Sequence, residues 1–283
     1  PIGPITEAAL WRQSRAESSS PLASSWTGRE RCRAENRNLQ PQHPYICLAH
    51  TLPFRRTHDT IGAIPVFSGS MGFDLTRFAE ARPRLYHLTA RANLDGILRT
   101  GRLEAARVLM ERAGDMSMLR QRRREHYRLR VDGREVVLRD QKPLHRGNIA
   151  FEGGFGFEDV VEALNRRVFF WPGDEEGPID YGRRHFGRYG GEDCVVLVVP
   201  TAALLEANPD VQAEFCRFNS VSPRCTGGRG APRGPRTFLP AHECPFSPGA
   251  VKEVTFREFV RLPAAGHVEV ASHLRWAEVR VQT

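Results

Sequence analysis

The pattern of apolar and polar residues changes near Met71. Residues 1–70 show no sustained hydrophobic period and are rich in Ser, Pro, Arg and Gln, whereas the later segments repeat the spacings of strands and helices. We therefore expect residues 1–70 to be a poorly structured N-terminal extension, with Met71 a plausible natural start and the upstream part a candidate start-site artefact. Residues 71–283 are expected to form the folded domain.

The first elements of this domain are a strand and a short helix. Residues 85–89, Leu-Tyr-His-Leu-Thr, form an apolar and aromatic run that is typical of a strand. Residues 93–101 place three aliphatic side chains on one helical face and end in Gly101, a residue suited to the left-handed end of a helix. Thr89, at the junction, could cap this helix through its hydroxyl.

The rest of the pattern predicts an α+β fold with short helices. Further helices are expected at 105–113, 157–164 and 201–207, and Pro200 is expected to start the last of them. A hairpin at 127–138 is expected as an insertion at the domain edge. Strands are expected at 168–171, 194–199, 215–218, 251–256, 268–271 and 277–281. Residues 219–249 are dense in Gly, Pro, Ser and Arg and are too long for an ordinary connection. They are either a substrate-contacting loop or a disordered segment.

Composition and charge exclude a few classes of protein. With 283 residues, 40% of them hydrophobic, the chain can form a packed core. No apolar run approaches the roughly 20 residues needed to cross a bilayer, and no signal peptide is visible, so we expect no membrane partner and a cytoplasmic location. The net charge of +8 permits a nucleic-acid partner without indicating one, because acidic residues accompany the arginines along the chain.

Familiar motifs for nucleophiles, nucleotides and metals are absent from the sequence. It contains no Gly-x-Ser-x-Gly, no Walker loop and no dinucleotide fingerprint after a strand. Its six cysteines are irregularly spaced, which favours free thiols over a disulfide framework. The spacing of Cys216, Cys225, His242 and Cys244 matches no common zinc pattern, so we expect no metal site.

The order of several short motifs carries more information than any one of them. These motifs are Tyr-His-Leu-Thr at 86–89, the helix with Asn-Leu, Ile-Leu and Gly at 93–101, the strands at 168–171 and 195–199, Phe-Asn at 218–219 and Glu253-Val254. This order resembles the DarT-type ADP-ribosyltransferases over most of residues 85–256. The opening motif and Phe-Asn-Ser at 218–220 are also similar to a family of uncharacterised bacterial proteins, which implies no activity.

The resemblance to the DarT-type enzymes has definite structural and chemical implications. It implies the split, highly twisted mixed sheet of ADP-ribosyltransferases, with NAD bound as substrate in the cleft between the halves of the sheet. It implies Glu253 as the catalytic carboxylate and His87 as a cofactor-binding residue of the first strand. The implied reaction transfers ADP-ribose to a macromolecule, with DNA or RNA as candidate acceptors and an antitoxin as a candidate partner of a toxin-like protein.

The residue types around Glu253 and His87 are compatible with this chemistry. Cleavage of the nicotinamide–ribose bond passes through an oxocarbenium-like centre, which needs negative charge nearby. Alternation along 251–256 places Val254 and Phe256 on one face and Glu253 on the other, so one strand can serve both a core and a cleft. The alternatives are a solvated glutamate and an ordinary core histidine.

Four more residues are candidates for binding NAD. Thr89 could bond the cofactor through its hydroxyl, but capping the helix is the favoured single role for it. Phe170 or Trp171 could stack on a base or on nicotinamide, although aromatic triplets such as 169–171 more often belong to a core. Arg146 could bind the pyrophosphate, because a guanidinium fork matches phosphate oxygens and the neighbouring Gly147 permits close approach.

Other aromatic and basic residues offer weaker alternatives. Tyr181 and Tyr189 could stack on a base, and nearby arginines could bind phosphate, but a solvated helix face explains these arginines just as well. The loop arginines could grip a nucleic-acid backbone, or the loop could be disordered; they are Arg224, Arg229, Arg233 and Arg236.

Two other functional classes remain open at this point. The domain could be a non-catalytic module of the same fold that binds a nucleotide or nucleic acid, or a structural protein whose long loop contacts a protein partner. Convergence of His87, the aromatic run at 169–171 and Glu253 on one cleft would favour the enzyme.

Overall fold

A computed structural model of the chain describes residues 73–277. The predictions made for residues 1–70, for a start at Met71 and for most of a strand at 277–281 lie outside this range. Within it the helices are short, and none is long and apolar enough to cross a membrane. They are α1 Leu75–Ala81, α2 Leu94–Thr100, α3 Ala106–Arg112, α4 Phe157–Asn165, α5 Asp180–Arg188 and α6 Thr201–Glu206.

The strands confirm an α+β domain built around one large sheet. They are β1 Arg84–Ala90, β2 Arg102–Glu104, β3 Tyr127–Val131, β4 Arg134–Leu138, β5 Ile149–Phe151, β6 Arg167–Asp174, β7 Gly177–Pro178, β8 Cys194–Pro200, β9 Ala213–Cys216, β10 Ala231–Arg233, β11 Leu239–Pro240, β12 Glu253–Arg257, β13 Phe259–Arg261 and β14 Glu269–Ser272. Eight of them form a sheet in the order β11-β9-β12-β6-β1-β8-β14, with β7 paired to β6.

The large sheet is antiparallel at every pairing in the described region, so the expectation of a mixed sheet is wrong for it. The parallel pairing that the structure does contain, β5 with β10, forms a separate two-stranded ladder. Two further small antiparallel ladders join β2 to β13 and β3 to β4.

Each face of the large sheet packs a hydrophobic cluster. Alternation along β1 sends Leu85 to the face that also carries Phe170, and Tyr86 to the face that carries Trp171. The strand β8 is buried on both faces, as its unbroken apolar sequence predicts, because α6 and the short helical turns cover it. The functional consequence is that neighbouring residues of β1 and β6 face different environments.

Several element ends differ from the predicted ones. The helix α2 begins after a 3-10 turn, and Ala90 precedes that turn without a side-chain cap, so Thr89 is not the helix cap. Gly101 does end α2 in the left-handed conformation, at φ 63°. Pro200 is the residue before α6 and not its first helical residue. The strand β6 runs through Pro172 and Gly173 to Asp174, because its second half has an antiparallel partner in β1.

The predicted hairpin is confirmed as β3 and β4, joined at Asp132-Gly133. It has a small core with α3, in which Met110, Leu129 and Leu138 are buried. The side-chain amide of Asn93 also holds it: Nδ2 donates to the Val137 carbonyl at 2.9 Å, and Oδ1 accepts from the Val137 N–H at 2.8 Å. The amide therefore substitutes for one residue of a neighbouring strand and fixes the hairpin beside β1.

The long segment 219–249 is ordered around close backbone contacts. A Cβ at Gly230 would lie 2.6 Å from the carbonyl carbon of Ile149, and one at Gly234 would lie 2.6 Å from the Glu152 carbonyl oxygen. These glycines let the segment run against β5. The disordered alternative for this loop is therefore wrong, and its first residues have a defined position relative to β12.

Candidate functional site

The large sheet splits at β6. Residues Arg167–Phe170 of this strand pair with β12, and residues Trp171–Gly173 pair with β1. The pairing with β12 ends at Val254 opposite Phe170, and the pairing with β1 ends at Tyr86 opposite Trp171. The next residues in register are Glu253 on one side and His87 on the other. The two predicted catalytic and binding residues therefore lie where the two halves of the sheet diverge.

A cavity of about 190 Å³ lies at this split, and a second cavity of about 560 Å³ adjoins it. The smaller cavity is lined by His87, Thr89, Trp171 and Glu253, among others, so four of the predicted site residues converge on it. The larger cavity continues beyond His87 and Thr89 toward α2, β2 and the β3–β4 hairpin. Together they form a cleft with room for a small organic ligand.

Glu253 lies at the start of β12 and is 2% exposed. Its Oε1 accepts a hydrogen bond from the Ser220 N–H at 3.0 Å, whereas Oε2 is buried without a partner among the described residues. Burial raises the pKa of Glu253 to about 7, against the opposing effects of the Ser220 hydrogen bonding and the charge of Arg233. Near neutral pH this carboxyl can therefore take up or release a proton, and its Oε2 has no protein partner among the described residues.

His87 lies across β6 from Glu253. Its Nδ1 is 2.9 Å from the Phe169 carbonyl oxygen, an acceptor, so Nδ1 carries the proton and Nε2 is the unprotonated nitrogen. Burial lowers the pKa of His87 to about 4, and Arg139 adds to this effect, while the hydrogen bond to Phe169 opposes it. The imidazole is therefore neutral at physiological pH. It also supplies a backbone carbonyl of β6 with the donor that the diverging β1 no longer provides.

The aromatic residues of β6 divide between the cavity and the core. Trp171 and Phe169 line the cavity, and the Trp171 ring lies 5.6 Å from that of His185. Phe170 is fully buried on the other face and packs against Phe256, so it does not line the cavity. The predicted cofactor contact of Phe170 is therefore wrong in this structure, because alternation along the strand turns its ring away.

Of the two other predicted ligand residues, Thr89 lies in the cavity wall and Arg146 lies outside the cleft. Thr89 is 5% exposed in the cavity wall, where its hydroxyl accepts a hydrogen bond from Asn93 at 3.1 Å. Arg146 lies on an exposed 3-10 turn, 3.8 Å from Glu158, and lines neither cavity of the cleft. Its position therefore does not support the prediction of Arg146 as a pyrophosphate ligand, because its turn is exposed and outside both cavities.

The loop arginines also divide between two environments. Arg233 is 2% exposed and donates to the carbonyls of Ser220 at 3.3 Å and Asn219 at 2.8 Å. It therefore positions the loop whose N–H binds Glu253, and it is not available to grip a nucleic-acid backbone. Arg224 is exposed and lines a separate cavity of about 550 Å³ with Tyr181, Arg184 and Arg188.

Sequence reasoning missed Arg139 and His185, which both line the cavity. Arg139 follows β4, and its Nη1 lies 2.9 Å from Nε2 of His185. The sequence placed the hairpin at the domain edge and the α5 arginines on a solvated face, which hid both residues. The signal that could have identified His185 was its position beside Phe186, the buried aromatic residue of the otherwise arginine-rich helix α5.

The described region does not assemble a metal site. Within residues 73–277 no group of three or more His, Cys, Asp or Glu side chains is placed to hold a metal ion. Cys194, Cys216 and Cys244 are buried free thiols, and the Cys216 sulfur accepts from the Phe218 N–H at 3.4 Å. The cleft presents acid, imidazole, guanidinium and aromatic side chains.

The fold and the cleft define an α+β domain whose antiparallel sheet splits around a buried acid and a neutral histidine. Comparison with protein families assigns residues 83–266 to DUF7002, a family of unknown function, and the chain belongs to that family. The match spans the elements from β1 to the turn after β13, so the split, the cleft and both cavities lie inside it. No curated protein and no solved structure matches the chain.

Proposed function

We propose that this domain transfers ADP-ribose from NAD to a macromolecular acceptor. The observation that carries the proposal is the placement of Glu253 and His87 on opposite sides of β6, at the split of the sheet and on one cavity. This is the arrangement expected of an ADP-ribosyltransferase cleft, with the acid on a late strand and the histidine on the first.

In the proposed reaction Glu253 acts on the ribose and on the acceptor. Its unpartnered Oε2 would accept a hydrogen bond from a ribose hydroxyl, and the negative carboxylate would stabilise the oxocarbenium-like centre that forms as the bond to nicotinamide breaks. The bonding pair leaves with nicotinamide. The acceptor nucleophile then bonds to the ribose carbon, and its proton passes to Glu253, whose pKa of about 7 suits a general base.

His87 and Trp171 would orient the cofactor. The unprotonated Nε2 of His87 is an acceptor for a ribose hydroxyl, and its orientation is fixed through the Phe169 carbonyl. The Trp171 indole supplies an aromatic surface in the same cavity. Thr89 adds a hydroxyl to the wall between the two cavities.

A basic groove beside the cleft supports a nucleic-acid acceptor. The cavity lined by Arg184, Arg188 and Arg224 also contains Tyr181, whose ring lies 5.0 Å from the Arg184 guanidinium. His185, Arg188, Asn219 and Ser222 line both this groove and the cavity of Glu253. Guanidinium groups and an aromatic ring suit a single strand that would place one base or phosphate at the cleft.

The proposal is tested by incubating the full chain with NAD and short single-stranded DNA or RNA, and measuring free nicotinamide and the oligonucleotide mass. We expect nicotinamide release with a matching mass gain, and loss of both in Glu253→Gln. Glu243→Gln is the matched control, because Glu243 is an exposed acid outside the cleft. Binding of NAD that survives Glu253→Gln, with no nicotinamide released by the unmodified chain, would instead identify a non-catalytic nucleotide-binding module.

A further inference from the structure

Arg139 is a cation in the cavity wall without a counter-charge in contact. It lines the smaller cavity, and among residues 73–277 no carboxylate oxygen lies within 4 Å of its guanidinium. Two acids act on it from farther away, Asp140 and Glu192. Both lie near His126 instead, with Asp140 Oδ2 at 3.3 Å from Nδ1 and Glu192 Oε2 at 2.6 Å from Nε2. Arg139 is half-buried, and a guanidinium partly removed from water without a counter-charge is costly unless something neutralises it.

The groups that touch Arg139 are neutral. Its Nη1 donates to Nε2 of His185, so the proton of that ring is on Nδ1. Its Cζ lies 5.1 Å from the centre of the Tyr189 ring. Burial, followed by the charges of Arg139 and Arg188, lowers the pKa of His185 well below its ordinary value. Among the described residues, Nε and Nη2 of Arg139 have no protein acceptor.

Two more arginines, Arg123 and Arg188, line the same cavity and oppose the more distant charges of Asp140 and Glu192. Arg123 is 7% exposed. Its Nε donates to the Arg139 carbonyl at 3.0 Å, and its Nη1 donates to Oδ1 of Asn165 at 2.6 Å. Arg188 lines the same cavity. Burial lowers the pKa of Arg123 to about 10, and Arg139 adds to the lowering. Three guanidinium side chains on one cavity, those of Arg123, Arg139 and Arg188, favour the binding of an anion there.

We infer that Arg139 is the main ligand of a phosphate-binding subsite in the cleft, and that this subsite takes the pyrophosphate group of the substrate. The identity of that substrate as a dinucleotide rests on the proposed function. The planar guanidinium can give two parallel N–H donors to phosphoryl oxygens, and the Nδ1–H of His185 is a further donor on the same wall. Phosphoryl oxygens would accept hydrogen bonds from Nε and Nη2 of Arg139, which have no acceptor among the described residues.

The position of this subsite gives the ligand a direction in the cleft. Arg139 and His185 lie on the side of Trp171, whose ring is 5.6 Å from that of His185, whereas Glu253 is held by Ser220 at the start of the loop. Arg139, Trp171 and Glu253 line one cavity, so a ligand with its phosphates at Arg139 can also contact the Trp171 ring and the acid. This set of contacts suits a nucleotide whose reacting sugar is attached to the pyrophosphate.

The test measures binding of inorganic pyrophosphate and ADP-ribose to the full chain by calorimetry, with adenosine as a ligand that lacks phosphate. We expect Arg139→Gln to weaken the binding of pyrophosphate and ADP-ribose by about tenfold or more, because it loses one charge-assisted pair of hydrogen bonds. Adenosine binding should not change. Arg146→Gln is the matched control, because Arg146 is exposed and lies outside both cavities.

A second variant and a stability measurement separate binding from folding. Arg139→Lys keeps the charge but loses the planar fork of donors. We therefore expect its affinity for pyrophosphate and ADP-ribose to lie between those of the wild type and Arg139→Gln. Thermal unfolding of Arg139→Gln without ligand should begin no lower than that of the wild type, because the substitution removes a half-buried charge that has no carboxylate within 4 Å among the described residues.

The outcomes also separate this inference from the proposed function. If pyrophosphate binds through Arg139 but NAD is not cleaved, the subsite stands and the transferase proposal fails. If NAD is cleaved and Arg139→Gln changes neither binding nor turnover, the subsite is wrong and the transferase stands. Failure of the wild type to bind pyrophosphate and ADP-ribose at millimolar concentration would also overturn the subsite.

Discussion

Replacement of the buried acid by its neutral isostere should change how stability depends on pH. Burial raises the pKa of Glu253 from its ordinary value of 4.5 to about 7 in the folded protein. In the unfolded chain this acid ionises near its ordinary value, so the folded state holds a proton that the unfolded state has released. The carboxyl therefore contributes stability fully below pH 4.5, and this contribution is lost as the pH rises to about 7.

The size of the effect follows from the difference between the two pKa values. Ionising Glu253 in the folded protein costs about 3 kcal/mol more than in the unfolded chain. Glu253→Gln cannot ionise and keeps an oxygen to accept from Ser220. We expect the free energy of unfolding of the variant to equal that of the wild type at pH 4.5 and to exceed it by about 3 kcal/mol at pH 8.

The assay is urea unfolding of the wild type and Glu253→Gln at half-unit pH steps, in one buffer mixture at constant ionic strength. Glu243→Gln, at an exposed acid, serves as the matched control and should follow the wild type. A difference between Glu253→Gln and the wild type that stays constant from pH 4.5 to pH 8 would refute the argument, since it would mean that Glu253 ionises normally in the folded protein.

His87 provides an internal check with the opposite sign. Burial lowers its pKa from 6.5 to about 4, so its contribution to stability is present above pH 6.5 and is lost as the pH falls toward 4. In the wild type the contributions of His87 and Glu253 oppose each other between pH 4.5 and 6.5. Glu253→Gln should therefore reveal a rise of stability with pH that the wild type conceals.

Three further substitutions test the parts of the structure that hold the cleft. Glu214→Gln removes the carboxylate shared by Arg167, at 2.7 Å, and Arg257, at 2.8 Å, and should lower the free energy of unfolding by about 3 kcal/mol in urea; a loss equal to that of an exposed Glu→Gln change would contradict the burial argument. Gly230→Ala places a methyl group against the Ile149 backbone and should cost about 2 kcal/mol, whereas Gly147→Ala, in open space, should cost little in the same assay. Arg233→Met should release the Asn219–Ser220 carbonyls and lower turnover or ligand affinity at Glu253; unchanged ligand affinity and turnover in a folded variant would show that the loop is positioned by other contacts.

The sequence identified most of the central elements because their periods are unambiguous. The strand at 194–199, the hairpin at 127–138 and the helix at 157–164 are where the hydrophobic pattern places them. Their local propensities agree with the tertiary environment, so no competing interaction moves them. The predicted end of β6 and the predicted start of α6 were less accurate, because a proline at these positions fits both a strand and the start of a helix.

The site was harder to predict because it depends on register and on contacts distant in sequence. Phe170 and Trp171 are adjacent and both aromatic, and only the pairing partners of β6 decide which ring faces the cavity. Likewise Arg139 and Arg146 are both arginines near the hairpin, and no local signal shows that Arg139 lines the cavity while Arg146 is exposed outside it. The order of motifs pointed to Glu253 and His87. It could not show which of Phe170 and Trp171, or which of Arg139 and Arg146, lines the cavity.

The division of β6 between two partner strands also predicts how the domain opens locally. Backbone amides in the ladder of β6 with β12 and those in the ladder of β6 with β1 belong to different hydrogen-bonded neighbours. Hydrogen exchange in these two ladders should therefore be governed by two separate opening reactions, even though the amides lie on one strand. A ligand that bridges the cleft would couple the two reactions, so that both ladders slow by a similar factor when it binds.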